Sequence, residues 1–139
     1  MTTLIHCAQS IDNIDLDALF PKFTLQMTSE IMVSGYSPIL VQVYDWSRKR
    51  GFKLHIGLPK RWRVRYYSPE TRAAEMLQFC DNTVFFHDGR DSLTQNMIRS
   101  CEINHYKHEI VMLKYENGGW RHEMTFMGSR VYPYVRALD

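Results

Sequence analysis

The sequence predicts an α+β protein: a two-layer sandwich with a mainly antiparallel sheet and helices packed on at least one face. Two observations lead to this fold class. Strand-like and helix-like hydrophobic patterns alternate along the whole chain, and the segment around Asn117-Gly118 has the composition of a tight β-hairpin. The pattern continues without a linker, a repeat or a low-complexity stretch, so we expect one globular domain over residues 1–139.

The first half of the chain combines short helices with apolar, strand-like runs. Asp15 offers an N-cap for a short helix, and Pro21 separates that helix from a second one, because proline disfavours helical geometry before it and lacks a donor. The nearly continuous apolar run 38–46 suits a central strand that is covered on both faces. The expected elements are a strand at 3–8, a short helix after Asp15, a helix from about Pro21 to Ser34, and strands at 38–46, 52–58 and 61–67.

The second half contains the clearest local signals. Ser68-Pro69-Glu70 is a good helix start, with a hydroxyl N-cap, proline at the first helical position and an acid in the first turn. Around Asn117-Gly118, a two-residue turn pairs Tyr115 with Trp120, Leu113 with His122, and Val111 with Met124. The other expected elements are a strand at 83–87 and a helix from about Ser92 to Glu102.

The positive charge of this chain is concentrated in one stretch. The net charge of the 139 residues is +2, whereas residues 45–65 contain eight Lys or Arg and one acid. As a strand, residues 61–67 would place three arginines on one face, about 7 Å apart, which is close to the repeat of an extended nucleic-acid backbone. The predicted binding residues on this strand-hairpin face are Arg48, Lys49, Arg50, Lys53, Arg61, Arg63, Arg65 and Tyr67.

A local basic surface attracts a local polyanion. We therefore expect a non-enzymatic binding or regulatory protein, of the inhibitor, immunity or accessory-factor type, whose partner is nucleic acid or an acidic protein surface. The alternative for this stretch is that the mildly acidic flanks fold over it and neutralise it. No cofactor and no metal site are expected, since the chain has no glycine-rich phosphate loop and no ligand-like spacing of cysteines.

An enzymatic alternative rests on titratable residues near the predicted strand ends. His87 and Asp88 could act as a general base and its orienting acid, and His105 and His108 follow the next predicted helix. The alternative function is a small α+β enzyme with these four residues in one cleft.

The order of the predicted elements resembles that of the GNAT acyltransferase superfamily. The slot of that family's cofactor loop reads Tyr67-Ser-Pro-Glu-Thr-Arg72-Ala-Ala in this chain. The resemblance implies an acyltransferase-like fold over nearly the whole chain. It does not extend to the glycine-rich loop that holds the pyrophosphate of coenzyme A, because no glycine is present and Pro69 lacks an amide donor.

Cysteine content and aromatic residues bear on location and assembly. Three cysteines without a CxxC motif indicate a reducing compartment, and the N-terminus resembles no signal peptide, so we expect a cytoplasmic protein that does not associate with membranes. We expect a homodimer or a heteromeric complex, formed through the aromatic surface and the C-terminal tail. The residues expected to contribute are Tyr44, Trp46, Tyr67, Val131, Tyr132, Tyr134 and Leu138.

Overall fold

The computed structural model describes residues 1–57 and 69–128, with side chains from residue 72 onward in the second range. Helices and strands alternate through most of this part of the chain. The elements are β1 (Thr2–Cys7), α1 (Leu16–Leu19), α2 (Lys22–Met27), β2 (Glu30–Val33), α3 (Leu40–Arg50), β3 (Lys53–Ile56), α4 (Pro69–Phe79), β4 (Asn82–His87), α5 (Ser92–Asn104), β5 (His108–Glu116) and β6 (Gly119–Gly128).

The six strands form one mixed sheet in the order β3-β2-β1-β4-β5-β6. The first five strands in this order are parallel to one another, and β6 pairs with β5 in the antiparallel direction. The predicted combination of helices with a sheet is confirmed, but the mainly antiparallel arrangement is wrong. The reason is that helices return the chain between successive parallel strands, whereas the prediction joined several strands by tight turns.

Each face of the sheet is covered by its own group of helices. On one face, here called the front, the strand residues pack against α1 and α3 through residues such as Phe20, Val43 and Trp46. On the back face, Leu4, Met32 and Phe85 pack against α4 and α5. Helices therefore lie on both faces, and the structure has three layers where two were predicted.

The segment predicted to be a central strand at 38–46 is part of α3. Its buried residues include Val43 and Trp46, while Val41 and Tyr44 on the same helix are 73% and 47% exposed. This alternation has the helical period, which a short, nearly continuous apolar run does not reveal on its own.

The predicted helix from Pro21 to Ser34 is also shorter than expected. Only Lys22–Met27 is helical, and Glu30–Val33 forms strand β2 beside β1. Since β2 replaces a predicted helix and α3 replaces a predicted strand, the order of elements that resembled the GNAT superfamily is not the observed one.

The C-terminal hairpin agrees with its prediction in type and turn. Tyr115 pairs with Trp120 and Leu113 with His122, as expected, but Val111 pairs with Thr125 rather than Met124. A register shift between Met112 and Leu113 accounts for the one-residue difference. The turn residues have positive φ angles, 54° for Asn117 and 78° for Gly118, as the tight hairpin turn requires.

Gly128, the last residue of β6, pairs with His108 at a position with no room for a side chain. A Cβ atom there would lie closer than 3 Å to three ring atoms of His108, whose buried Nδ1 donates a hydrogen bond to the carbonyl of Tyr106 at 2.8 Å. We expect Gly128→Ala to lower the free energy of unfolding by about 1–3 kcal/mol, measured by urea denaturation.

The matched control is Gly119→Ala at the other end of the same strand, where an added Cβ meets no atom within 4 Å. It should change the stability by less than about 1 kcal/mol. Replacing His108 by Ala in the Gly128→Ala background should recover part of the loss. Equal losses for the two glycine variants would contradict the proposed clash.

Candidate functional site

The carboxyl ends of the five parallel strands lie along one edge of the sheet, here called the carboxyl edge. At this edge the chain leaves β1 toward the front helices and leaves β4 toward α5 on the back. The neighbouring strands β1 and β4 therefore send their loops in opposite directions, which defines the topological switch point of the sheet. Ligands of open parallel sheets bind in the crevice outside the strands at such a point.

The two loops at the switch point are joined by polar contacts. Ser10 donates a side-chain hydrogen bond to Asp88, and the amide of Ala8 donates to the carbonyl of Phe86 at 2.9 Å. Burial raises the pKa of Asp88, but the hydrogen bonds from Ser10 and from two backbone amides outweigh it, so the pKa lies below its ordinary value. Asp88 is consequently an anion that is already engaged within the protein.

A second chain of hydrogen bonds runs behind this crevice. Asp91 caps α5 by accepting from the amide of Thr94 at 2.9 Å and from its hydroxyl at 2.6 Å. Because this hydroxyl donates to Asp91, it accepts from Nε2 of His6, which lies 2.8 Å away. Burial lowers the pKa of His6 to about 4, so the ring is neutral with its proton on Nε2.

His87 and Asp88 lie side by side, but not as a base and its orienting acid. Nδ1 of His87 accepts a hydrogen bond from the amide of Gly89 at 3.3 Å and is 3.6 Å from the Asp88 carboxylate. Burial lowers the pKa of His87, although Asp88 and Asp91 act in the opposite direction. The neutral ring therefore has its proton on Nε2, away from Asp88.

The four residues of the enzymatic alternative do not come together in one cleft. His87 ends β4 at the carboxyl edge, whereas His105 ends α5 and His108 begins β5 at the opposite, amino edge. In the pairing of β4 with β5, His108 is opposite Thr83, four residues before His87, a separation of about 13 Å along the strand. The structure thus divides this set between the two edges.

The described part of the predicted basic strand-hairpin face lies at the amino edge. Arg48, Lys49 and Arg50 occupy the last turn of α3, which ends at the amino edge, and Lys53 begins β3 there. A helix end replaces the predicted hairpin. Arg50 also forms an ion pair with Asp17 at 2.7 Å. The other predicted binding residues, Arg61, Arg63, Arg65 and Tyr67, lie outside the described residues.

The described chain reaches the carboxyl edge both just before and just after residues 58–68. The amide of Gly57, just after β3, donates to the carbonyl of Val33 at the end of β2 at 2.7 Å. On the other side, the guanidinium of Arg72 in the first turns of α4 lies 5.5 Å from the ring centre of Tyr36 in the loop after β2. Residues 58–68 contain four basic residues and no acid.

The surface expected to mediate association is only partly described. Tyr44 is exposed, as predicted, whereas Trp46 is buried and its indole nitrogen donates to Asp17 at 3.1 Å. Tyr67 and the tail residues Val131, Tyr132, Tyr134 and Leu138 lie outside the described residues.

The remaining chemistry of the described part is limited. Burial raises the pKa of the thiols of Cys80 and Cys101 to about 12, so neither is a ready nucleophile. Among the described side chains, those of residues 1–57 and 72–128, no three His, Cys, Asp or Glu are grouped so as to hold a metal ion. Within residues 1–57 and 69–128, every helix is too short or too polar to cross a bilayer.

Sequence reasoning missed Ser10, Asp91 and Thr94, because polar residues in loops and in the first turn of a helix carry no periodic signal. The spacing of Asp91 to Thr94 does match a helix N-cap and was available as a clue.

A scan of the chain against protein-family models finds no matching family, and a search of curated proteins finds no match either.

Proposed function

We propose that this protein is a non-enzymatic binding protein whose ligand carries phosphate groups, and that the ligand binds at the carboxyl edge of the sheet beside β2 and β3. The main support is the position of the chain on either side of residues 58–68. Gly57 and Arg72 both lie at the edge where open parallel sheets bind ligands. Residues 58–68, which lie between them in the sequence, contain four basic residues and no acid.

The chemistry of the described residues at this edge is compatible with an anion. The N-terminus of α3 points to it, its N-cap Ile39 makes no side-chain capping bond, and its first turn has no acid. The first amides of such a helix favour negative charge. That of Leu40 already donates to the carbonyl of Ser37 at 3.2 Å, so the anion would meet the remaining amides of the first turn. By contrast, Asp91 already caps α5, and Asp88 lies beside it at the switch point. An anion is therefore better placed toward β2 and β3 than over β4.

A nucleic-acid strand or its nucleotides fit this edge better than an acidic protein. Tyr36 is 75% exposed and lies beside the guanidinium of Arg72. An exposed aromatic ring next to arginine is a platform on which a base can stack, and arginine also binds phosphate through two parallel hydrogen bonds. A cytoplasmic location, expected from the cysteines, remains part of this proposal.

The test is fluorescence polarisation with labelled single-stranded RNA and DNA, with mononucleotides as competitors. The triple variant Arg61/Arg63/Arg65→Ala should bind at least about tenfold more weakly than the wild type, because it removes several phosphate contacts. The control Arg48/Lys49/Lys53→Ala removes the same charge from the amino edge and should change the affinity less than about threefold. The wild-type affinity should fall with salt at a log-log slope of about 0.7 per phosphate contact.

Competition by mononucleotides would assign the edge to a free nucleotide, and the absence of competition would assign it to the polymer. Tighter binding to polyglutamate than to nucleic acid would replace the proposal by an acidic protein partner. Equal losses of affinity in the two triple variants would show that the ligand does not bind specifically at the carboxyl edge.

A further inference from the structure

A buried carboxylate lies at the amino edge of the sheet, on the face opposite α5. Glu109, the second residue of β5, is only 3% exposed. Thr24 of α2 and Asn82 of β4 lie beside it, and each is 1% exposed. A charged side chain at such a depth requires compensation by hydrogen bonds and by a positive charge.

The hydrogen bonds to Glu109 come from neutral groups. The Thr24 hydroxyl and the Asn82 side-chain amide both donate to its Oε1, the latter at 3.2 Å. Among the ion pairs of the described ranges, none includes Glu109. Two neutral donors supply hydrogen bonds to the carboxylate but no positive charge.

Each threonine hydroxyl near this carboxylate already donates its proton in a hydrogen bond. The Thr28 hydroxyl donates to the carbonyl of Thr24 at 2.7 Å, so in its 2.8 Å contact with Thr3 it is the acceptor. Thr24 in turn donates to Glu109. None of the three threonines therefore has a proton left for another acceptor.

Asn82 has a polar atom that this network does not satisfy. Its Oδ1 is buried and accepts no hydrogen bond from the described residues. A buried carbonyl oxygen without a partner is rare in folded proteins, because burial removes its hydrogen bonds to water. Here it belongs to the side chain whose amide nitrogen holds the carboxylate of Glu109. An oxygen-rich, negatively charged environment results.

We propose that this cluster binds a monovalent alkali cation, Na⁺ or K⁺, through the carboxylate of Glu109, Oδ1 of Asn82 and the hydroxyl oxygen of Thr24. These are hard oxygen ligands, which alkali and alkaline-earth cations prefer over softer donors. One positive charge balances the single carboxylate, whereas a divalent ion would leave an excess charge in a buried place. The site lies at the edge opposite the proposed ligand site and is independent of it.

Thermal unfolding of the full chain tests the proposal. The ionic strength is held constant with choline chloride, and Na⁺ or K⁺ then replaces choline in steps, since choline is too large for the cluster. Because an ion that binds only the folded state stabilises it, the Tm should rise by about 3–8 °C with the preferred ion. The arms with Na⁺ and K⁺ identify which of the two binds.

Variants separate the site from a general salt effect. Glu109→Gln should abolish the rise, while the control Glu116→Gln, an exposed acid on the same strand, should keep it. Asn82→Asp adds a second carboxylate and should make the Tm respond to Ca²⁺, which keeps the test decisive if Glu109→Gln does not fold. A wild-type Tm that is the same in choline, Na⁺ and K⁺ would overturn the proposal, as would an undiminished rise in Glu109→Gln.

Discussion

Phe85→Ala is expected to lower the free energy of unfolding by about 3–5 kcal/mol. Phe85 is fully buried in β4, in the middle of the back core, where its ring contacts His6 and His108 edge-on at centroid distances of 5.7 and 6.2 Å. Removing the ring eliminates its buried apolar area and leaves a cavity between the sheet and the helices α4 and α5. A loss of this size is a large part of the 5–15 kcal/mol typical of a folded domain.

Urea denaturation followed by circular dichroism measures this loss. The matched control is Phe126→Ala on β6, because Phe126 is 50% exposed. It should cost less than about 1.5 kcal/mol, since a half-exposed ring gains less from burial. A Phe85→Ala loss no larger than that of the control would show that the back core does not pack as described.

The second large effect is a loss of stability on mild acidification. Burial lowers the pKa of His6 from its ordinary 6.5 to about 4, partly offset by Asp91. Between these two values the unfolded chain binds a proton that the folded chain excludes, so stability is complete above pH 6.5 and falls as the pH decreases toward 4. At about 1.36 kcal/mol per pKa unit, the loss is at most roughly 3 kcal/mol.

Urea denaturation at a series of pH values checks this prediction. His6→Gln keeps a donor for Thr94 but does not titrate, so its stability should depend less on pH between 6.5 and 4. The slope that remains comes in part from His87, whose pKa is also lowered by burial. His122→Gln serves as the control, because His122 is exposed and should leave the wild-type slope unchanged. The pKa values of Asp88 and Asp91 lie below the ordinary 3.8, so their contribution is lost only at lower pH. An unchanged slope in His6→Gln would contradict the assignment to His6.

Local sequence signals were sufficient to predict the elements that depend only on neighbouring residues. The hairpin turn at Asn117-Gly118 and the helix beginning at Pro69 depend on neighbouring residues, and both were predicted. The pairing of Val111 was not predicted correctly, because the register shift between Met112 and Leu113 is not marked by a distinctive residue type. Sequence patterns specify such a turn much better than the pairing some residues away from it.

The error at 38–46 came from a signal that has two interpretations. The strands predicted at 38–46 and 52–58 required a turn at Arg48-Lys49-Arg50-Gly51, but basic residues in a last turn followed by glycine also end a helix. Gly51 has a φ of 74° and donates its amide to Arg48 and Ser47 carbonyls, as a helix C-cap does. With α3 in place of a strand, the strands on either side become parallel.

The candidate site could be predicted only in fragments. His87-Asp88 was recognised at a strand end, but its neighbours Ser10 and Asp91 belong to loops that only the strand order brings together. Likewise, Lys53 and Gly57 are close in the sequence, and it is the direction of β3 that places them at opposite edges of the sheet. Proximity across a sheet depends on long-range topology, for which a single sequence contains little information.

The position of β1 has a consequence for how the chain is synthesised. This strand precedes the other strands of the sheet in the chain but lies inside it, with β2 on one side and β4 on the other. Its pairing with β2 becomes possible after about 30 residues, whereas β4 begins only at Asn82. During translation, the apolar β1 therefore has an unpaired edge for as long as it takes to make the intervening residues, some seconds at typical rates. Non-local pairing of this kind also folds more slowly than helical contacts, so we expect the newly made N-terminal half to depend on chaperones more than the completed protein does.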